Sequence, residues 1–109
     1  MLISSGALIG ADAFHTGSGS VLLVRAPDGT SLLRFEDYEV LNGPDLHVFL
    51  TPDASGNVHA PGAIDLGAVK ATRGNANYAL PAGTNLESLR FVVIYCVPFS
   101  VVFATAQLN

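Results

Sequence analysis

The chain has 109 residues, a net charge of -4, 13% charged residues and an apolar half. A domain near this size buries roughly 65% of its unfolded surface, so one core over residues 1–109 is expected and intrinsic disorder is excluded. The five basic residues, Arg25, Arg34, Lys70, Arg73 and Arg90, are scattered, which argues against nucleic acid as a partner and against a polybasic membrane patch; the single cysteine excludes an intrachain disulfide and a multi-cysteine zinc site.

In chain order, Met1 to Ile9 is mildly apolar but lacks a basic n-region and is too short for a secretory h-region with its cleavage site, so no signal peptide is expected there. Val21–Ala26 and Ser31–Phe35 flank Pro27-Asp28-Gly29-Thr30, where Pro presets φ and Gly tolerates positive φ, the chemistry of a tight hairpin. A third segment, Asp37–Leu41, runs into the breaker Asn42-Gly43-Pro44. Beyond it Leu46, Val48 and Leu50 alternate with His47 and Phe49, which predicts a strand with one core face.

Thr51–Gly62, with its prolines and glycines, is expected as a surface loop, Ile64–Ala71 as an apolar segment and Thr72–Asn77 as a second polar loop. Thr84-Asn85-Leu86-Glu87 has the spacing of a capping box and predicts one short helical turn. The apolar stretch Phe91–Ala106 is shorter than the roughly 20 residues that cross a bilayer. Pro98 and Ser100 interrupt it, so it divides into two paired strands, Phe91–Val97 and Ser100–Gln107, rather than forming a transmembrane segment. The resulting fold class is all-β, a single antiparallel β-sandwich of about seven or eight short strands with one helical turn, a barrel being the alternative.

Chemistry has few candidates. Cys96 lies in Phe-Val-Val-Ile-Tyr-Cys-Val, apolar on both faces as in a buried central strand, and free cysteine commonly packs as a small hydrophobe. An activated thiolate needs a cation, a helix N-terminus or a metal, and the nearest basic residue in sequence, Arg90, precedes an apolar run. His47, on the strand after the breaker, is the histidine of most interest for folding near the thiol, although the alternation places it on the solvent side. His15 and His59 read as exposed loop residues, with a strand edge as the alternative for His15. Glu36, Asp37, Glu39 and Asp45 lack EF-hand spacing and read as solvated loop edges, so no metal site is assigned. No nucleophile elbow is present, so Cys96, His47 and Asp45 are the right residue types for hydrolysis without its context, and the domain reads as no enzyme on its own.

Four pieces in order carry a family resemblance: His15-Thr16-Gly17-Ser18-Gly19-Ser20-Val21; Leu33-Arg34-Phe35-Glu36-Asp37-Tyr38; Asn42-Gly43-Pro44-Asp45-Leu46-His47-Val48-Phe49-Leu50; and Val93-Ile94-Tyr95-Cys96 with Phe99, Val101 and Phe103. Together with Gly74, Tyr78 and Pro81 they resemble the DM-thirteen domain, a proposed electron-transfer domain that accompanies DOMON domains in animal extracellular proteins and occurs in bacterial exported proteins. The resemblance implies an extracytoplasmic or secreted all-β module. Its characteristic cysteine, matched by Cys96, would serve as a redox thiol or hold a prosthetic group such as haem, with a redox or binding protein as partner. Tyr95 stands where family members often have Trp. The spacing for covalent haem is absent, which leaves noncovalent haem on Cys96 or a histidine such as His47 as the cofactor variant. The alternative function is a noncatalytic extracytoplasmic interaction or adhesion module with Cys96 in the core.

Overall fold

The computed structural model describes all 109 residues, as nine strands and no helix. They are β1 (Leu2–Ala7), β2 (Ile9–Gly10), β3 (Gly17–Arg25), β4 (Ser31–Val40), β5 (Leu46–Thr51), β6 (Ile64–Ala68), β7 (Arg73–Ala79), β8 (Phe91–Cys96) and β9 (Val101–Gln107). One sheet has the order β1-β3-β4-β7 and the other β2-β9-β8-β5-β6, with every pairing antiparallel. Both sheets keep open edges, so the architecture is the expected sandwich and not a barrel. No helix is long and apolar enough to cross a membrane.

Local chemistry accounts for much of the strand order. The Pro27–Thr30 turn joins β3 to β4 as predicted, with the Ala26 N–H donating to the Thr30 carbonyl and Gly29 at a φ of 90°. Segments Ser31–Phe35 and Asp37–Leu41 merge, up to Val40, into one strand, β4, because a bulge absorbs Glu36 and Asp37. There Asp37 takes a φ of 49° and the Asn75 side chain accepts its N–H at 2.8 Å.

The core lies between the sheets. Val21 and Leu23 of β3, Leu33 and Phe35 of β4, and Tyr78 of β7 meet Leu46, Val48 and Leu50 of β5, Val92, Ile94 and Cys96 of β8, and Ala104 and Ala106 of β9. β8 is central in its sheet, flanked by β5 and β9, and its alternate residues Val93 and Tyr95 are buried on the other face. Its two-sided apolar run is thereby explained. The amino-terminal segment switches sheets at the buried Leu8, β1 pairing with β3 and β2 with β9. Gly6 permits this crossing, since a Cβ there would run into the backbone oxygen of Gln107.

Three expectations are corrected. Thr72–Asn77 is largely strand β7 and not a loop. It is an edge strand with one face in solvent, where Asn side chains are tolerated, and Asn75 and Asn77 bond across to Asp37 and Arg34 of β4. The helical turn at Thr84–Glu87 is absent: Thr84 Oγ1 donates back to the Pro81 carbonyl and Asn85 Oδ1 accepts the Glu87 N–H, so local side-chain bonds take the roles of a capping box. Past Thr51, which ends β5, the segment to Gly62 is a loop, yet not only a surface one. Its Val58 covers Val93 and Tyr95 on the outer face of β8, and Thr51 Oγ1 donates to the Asn57 carbonyl at 2.8 Å.

Candidate functional site

Strand directions bring the ends of β4 and β8 and the starts of β3, β5 and β9 to one end of the sandwich, and three connections meet there. The Leu41 N–H donates to the Thr16 carbonyl at 3.1 Å, tying segment 41–45 to segment 11–16. The Val97 N–H donates to the Asp45 carbonyl at 3.2 Å, tying the same segment to the turn at Val97–Ser100. Gly43 lies against the Phe103 ring, where a Cβ would sit 2.8 Å from ring carbons. Sequence reasoning expected a breaker at Asn42-Gly43-Pro44; the structure adds that the breaker roofs the end of β8.

Cys96 is the last residue of β8, a free and fully buried thiol. Its side chain points into the core on the side of Leu46, its register partner, and its S–H donates to the Pro44 carbonyl at 3.1 Å. The sulfur therefore has one polar neighbour, a backbone oxygen of the roof, and otherwise apolar packing. The next residue, Val97, already emerges from the fold, and Phe99 in the same turn is 68% exposed. Segment 11–16 adds Phe14, 75% exposed, and His15, whose ring packs 4.5 Å from that of Phe103 and whose Nδ1 is held by Asp12.

His47 points the opposite way. It is the register partner of Tyr95, whose side chain belongs to the outer cluster, whereas Leu46 and Cys96 face the core. Thus the structure unites His47 with Asp45, as the residue types suggested, and separates both side chains from the thiol by the sheet itself. A second carboxylate, Asp65 of β6, was not anticipated. Its oxygens lie 2.9 and 3.0 Å from Nδ1, and Asp45 Oδ1 lies 3.0 Å from Nε2. Asp65 is the main cause that holds the His47 pKa above the ordinary imidazole range; partial burial opposes it and Asp45 adds to it. The pairing of β5 with β6, which creates this site, is a long-range contact that periodicity does not reveal. Of the other acidic residues, Glu36 pairs with Arg34 of its own strand at 2.7 Å.

A haem on Cys96 requires an open apolar slot beside the sulfur. The cleft nearest the roof, between Asn42, Gly43, Asp45, Ala68 and Thr72, has a volume of about 180 Å³, below the roughly 300 Å³ at which small-molecule sites begin. A larger cleft of about 470 Å³ lies at the opposite end beside Arg25, Thr30 and Pro81. Both ring nitrogens of His47 face carboxylate oxygens, at 2.9 and 3.0 Å, which stand where an iron would have to bind. The residues around Cys96 and His47 do not fit a haem.

A family model described as Electron transfer DM13 matches residues 9–108. The chain belongs to this family. The DM13 match begins in β2 and ends after β9, so it covers every strand except β1 and every residue of the Cys96 end described above. No curated protein and no solved structure matches the chain.

Proposed function

We propose that this DM13 domain exchanges electrons with an extracytoplasmic protein partner through the thiol of Cys96. Membership in a family described by electron transfer supports the class of function. The observation that carries the assignment to Cys96 is its position: a free thiol at the end of β8, one residue from an exposed turn and bonded to the Pro44 carbonyl of the segment that roofs that end. Phe14 and Phe99 flank that end and supply apolar surface for a protein partner.

The chemistry that suits an isolated thiol is exchange with a partner's disulfide. Cys96 gives its proton to water and its sulfur attacks one sulfur of the disulfide. The partner's S–S bond breaks, the other sulfur leaves and takes up a proton, and a Cys96–partner disulfide forms. A dithiol of a second protein completes the transfer: one of its thiols attacks the Cys96 sulfur and frees the first partner as a dithiol, and its other thiol closes the second protein's own disulfide and returns Cys96 as a thiol, so two electrons pass to the first partner through a chain that has no other cysteine.

Such a thiol must be reached by local opening of its roof. The native labelling rate of Cys96 by a small disulfide reagent, measured against urea well below the unfolding transition, checks this. Local opening exposes little surface, so the rate is expected to stay nearly flat at low urea. A rate that climbs with the full urea dependence of global unfolding places reactivity only in the unfolded chain. It would support the second reading, a noncatalytic interaction module with Cys96 as core packing, which the complete burial of the sulfur favours.

A further inference from the structure

The segment that roofs Cys96 is anchored on both sides of β5. Inward, the Pro44 carbonyl accepts the Cys96 S–H at 3.1 Å; outward, the adjacent Asp45 carboxylate holds His47 Nε2 at 3.0 Å. Between them the Asp45 carbonyl accepts the Val97 N–H at 3.2 Å, and Asp45 has a φ of 52°, a left-handed conformation that a residue with a Cβ keeps only when held. From these contacts we infer that Asp45, His47 and Asp65 form a proton-operated latch that keeps the 41–45 segment closed over Cys96 and releases it when His47 becomes neutral.

The argument is one of donor counting. Each ring nitrogen of His47 faces a carboxylate, and a carboxylate only accepts. Imidazolium has two N–H groups and satisfies both partners; neutral imidazole has one, and the other nitrogen turns a lone pair on its carboxylate. The partner that keeps the proton is Asp65, which lies near Nδ1 through both oxygens and is itself fixed by the Gly67 N–H at 2.8 Å. Asp45 has a single contact to the ring and is the one released. Its loss removes the outward anchor of a residue in an unfavourable φ region, next to the carbonyl that covers the thiol.

The groups facing the imidazole are Asp45 on its own segment, Asp65 on β6, Phe49 one alternation along β5, and Tyr95 as its partner on β8. His15 is a second imidazole at the same end of the sandwich, paired with Asp12. A control must therefore separate it from His47.

The inference adds regulation to the thiol site proposed above, but its test reads access to the sulfur and not electron transfer. The quantity is a protection factor: the labelling rate of Cys96 by 4,4′-dithiodipyridine in urea-unfolded protein divided by the native rate at the same pH, from pH 5 to 9. This ratio removes the thiol's own ionisation in the open chain. Loss of one exposed charge-assisted contact is expected to lower the wild-type protection factor about fivefold as His47 deprotonates. His47→Arg, which remains charged, should flatten the profile, and Asp45→Asn, which keeps the His47–Asp65 pair, should flatten it independently if the arginine variant does not fold. A flat wild-type profile, or the same fall in Asp45→Asn as in wild type, overturns the latch; an equal fall in His47→Arg also does so and transfers the effect to His15. A thiol that is gated in this way toward the small reagent but exchanges with no protein disulfide would leave the latch standing and remove the electron-transfer reading.

Discussion

Tyr38 shows how a single buried atom limits this core. Its side chain packs 5.0 Å from the Phe35 ring, and its hydroxyl is buried without a hydrogen-bond partner. Burial, with the neighbouring Tyr78 as a further cause, pushes its ionisation well above the ordinary phenol range. The Tyr78 hydroxyl is already engaged, accepting the Lys70 N–H at 2.9 Å. Removing an unpaired buried hydroxyl relieves its desolvation cost, so Tyr38→Phe is expected to raise stability by about 1 kcal/mol in urea unfolding. A loss of similar size would show that the hydroxyl has a partner in solution. Cys96 illustrates what was legible at this scale: the two-faced apolar run predicted a buried thiol, and it is buried, but the bond to Pro44 joins residues that no local pattern connects. For the same reason His47 was placed correctly on the outer face while its partner Asp65 went unseen, since alternation fixes faces and says nothing about which strand lies alongside.

Turns with strong local chemistry were legible as elements, and polar edge strands were not. The hairpin at Pro27–Thr30 rests on Gly29, whose φ of 90° is strained for any L side chain although a Cβ there would meet open space. Gly29→Ala is therefore expected to cost about 1 to 2 kcal/mol through the backbone alone, without altering the spectroscopic signature of the native sheets. No loss in the urea midpoint would mean that the turn readjusts. β7 escaped sequence reasoning because its residues are mostly polar and small, and its place in the sheet comes from β4, which supplies the ladder and the Asp37 and Arg34 contacts to its Asn side chains. β1 and β2 escaped because two short edge strands split by Leu8 carry no periodicity of their own. The Thr84–Glu87 signal failed in the other direction. Its side chains satisfy nearby backbone groups in turns, and no amphipathic stretch follows that would give a helix a face to bury.

The charge network gives the whole molecule a stability profile with two limits. Asp12, Asp28 and Asp53 have pKa values held below the ordinary 3.8, by the His15 backbone N–H, the Thr30 side chain and the Ser55 side chain respectively as leading causes. A depressed carboxylate contributes stability that is complete above its unfolded pKa and is lost as pH falls through the folded value. His47 has the opposite sign: its raised pKa contributes stability that is complete below the unfolded value of 6.5 and is lost as pH rises through the folded one. The two limits leave maximal stability between about pH 5 and 6.5. Urea midpoints should fall on either side of that window, and His47→Gln should abolish the decline on the alkaline side up to pH 9 while leaving the acid side in place. A midpoint that rises steadily from pH 5.5 to 8 in wild type would mean that the two carboxylates do not favour the imidazolium in solution. Because His47 sits on the sheet that carries Cys96 on its other face, this global profile and the local protection of the thiol share one titration: the pH at which the fold loses its latch contribution should coincide with the pH at which Cys96 becomes easier to reach.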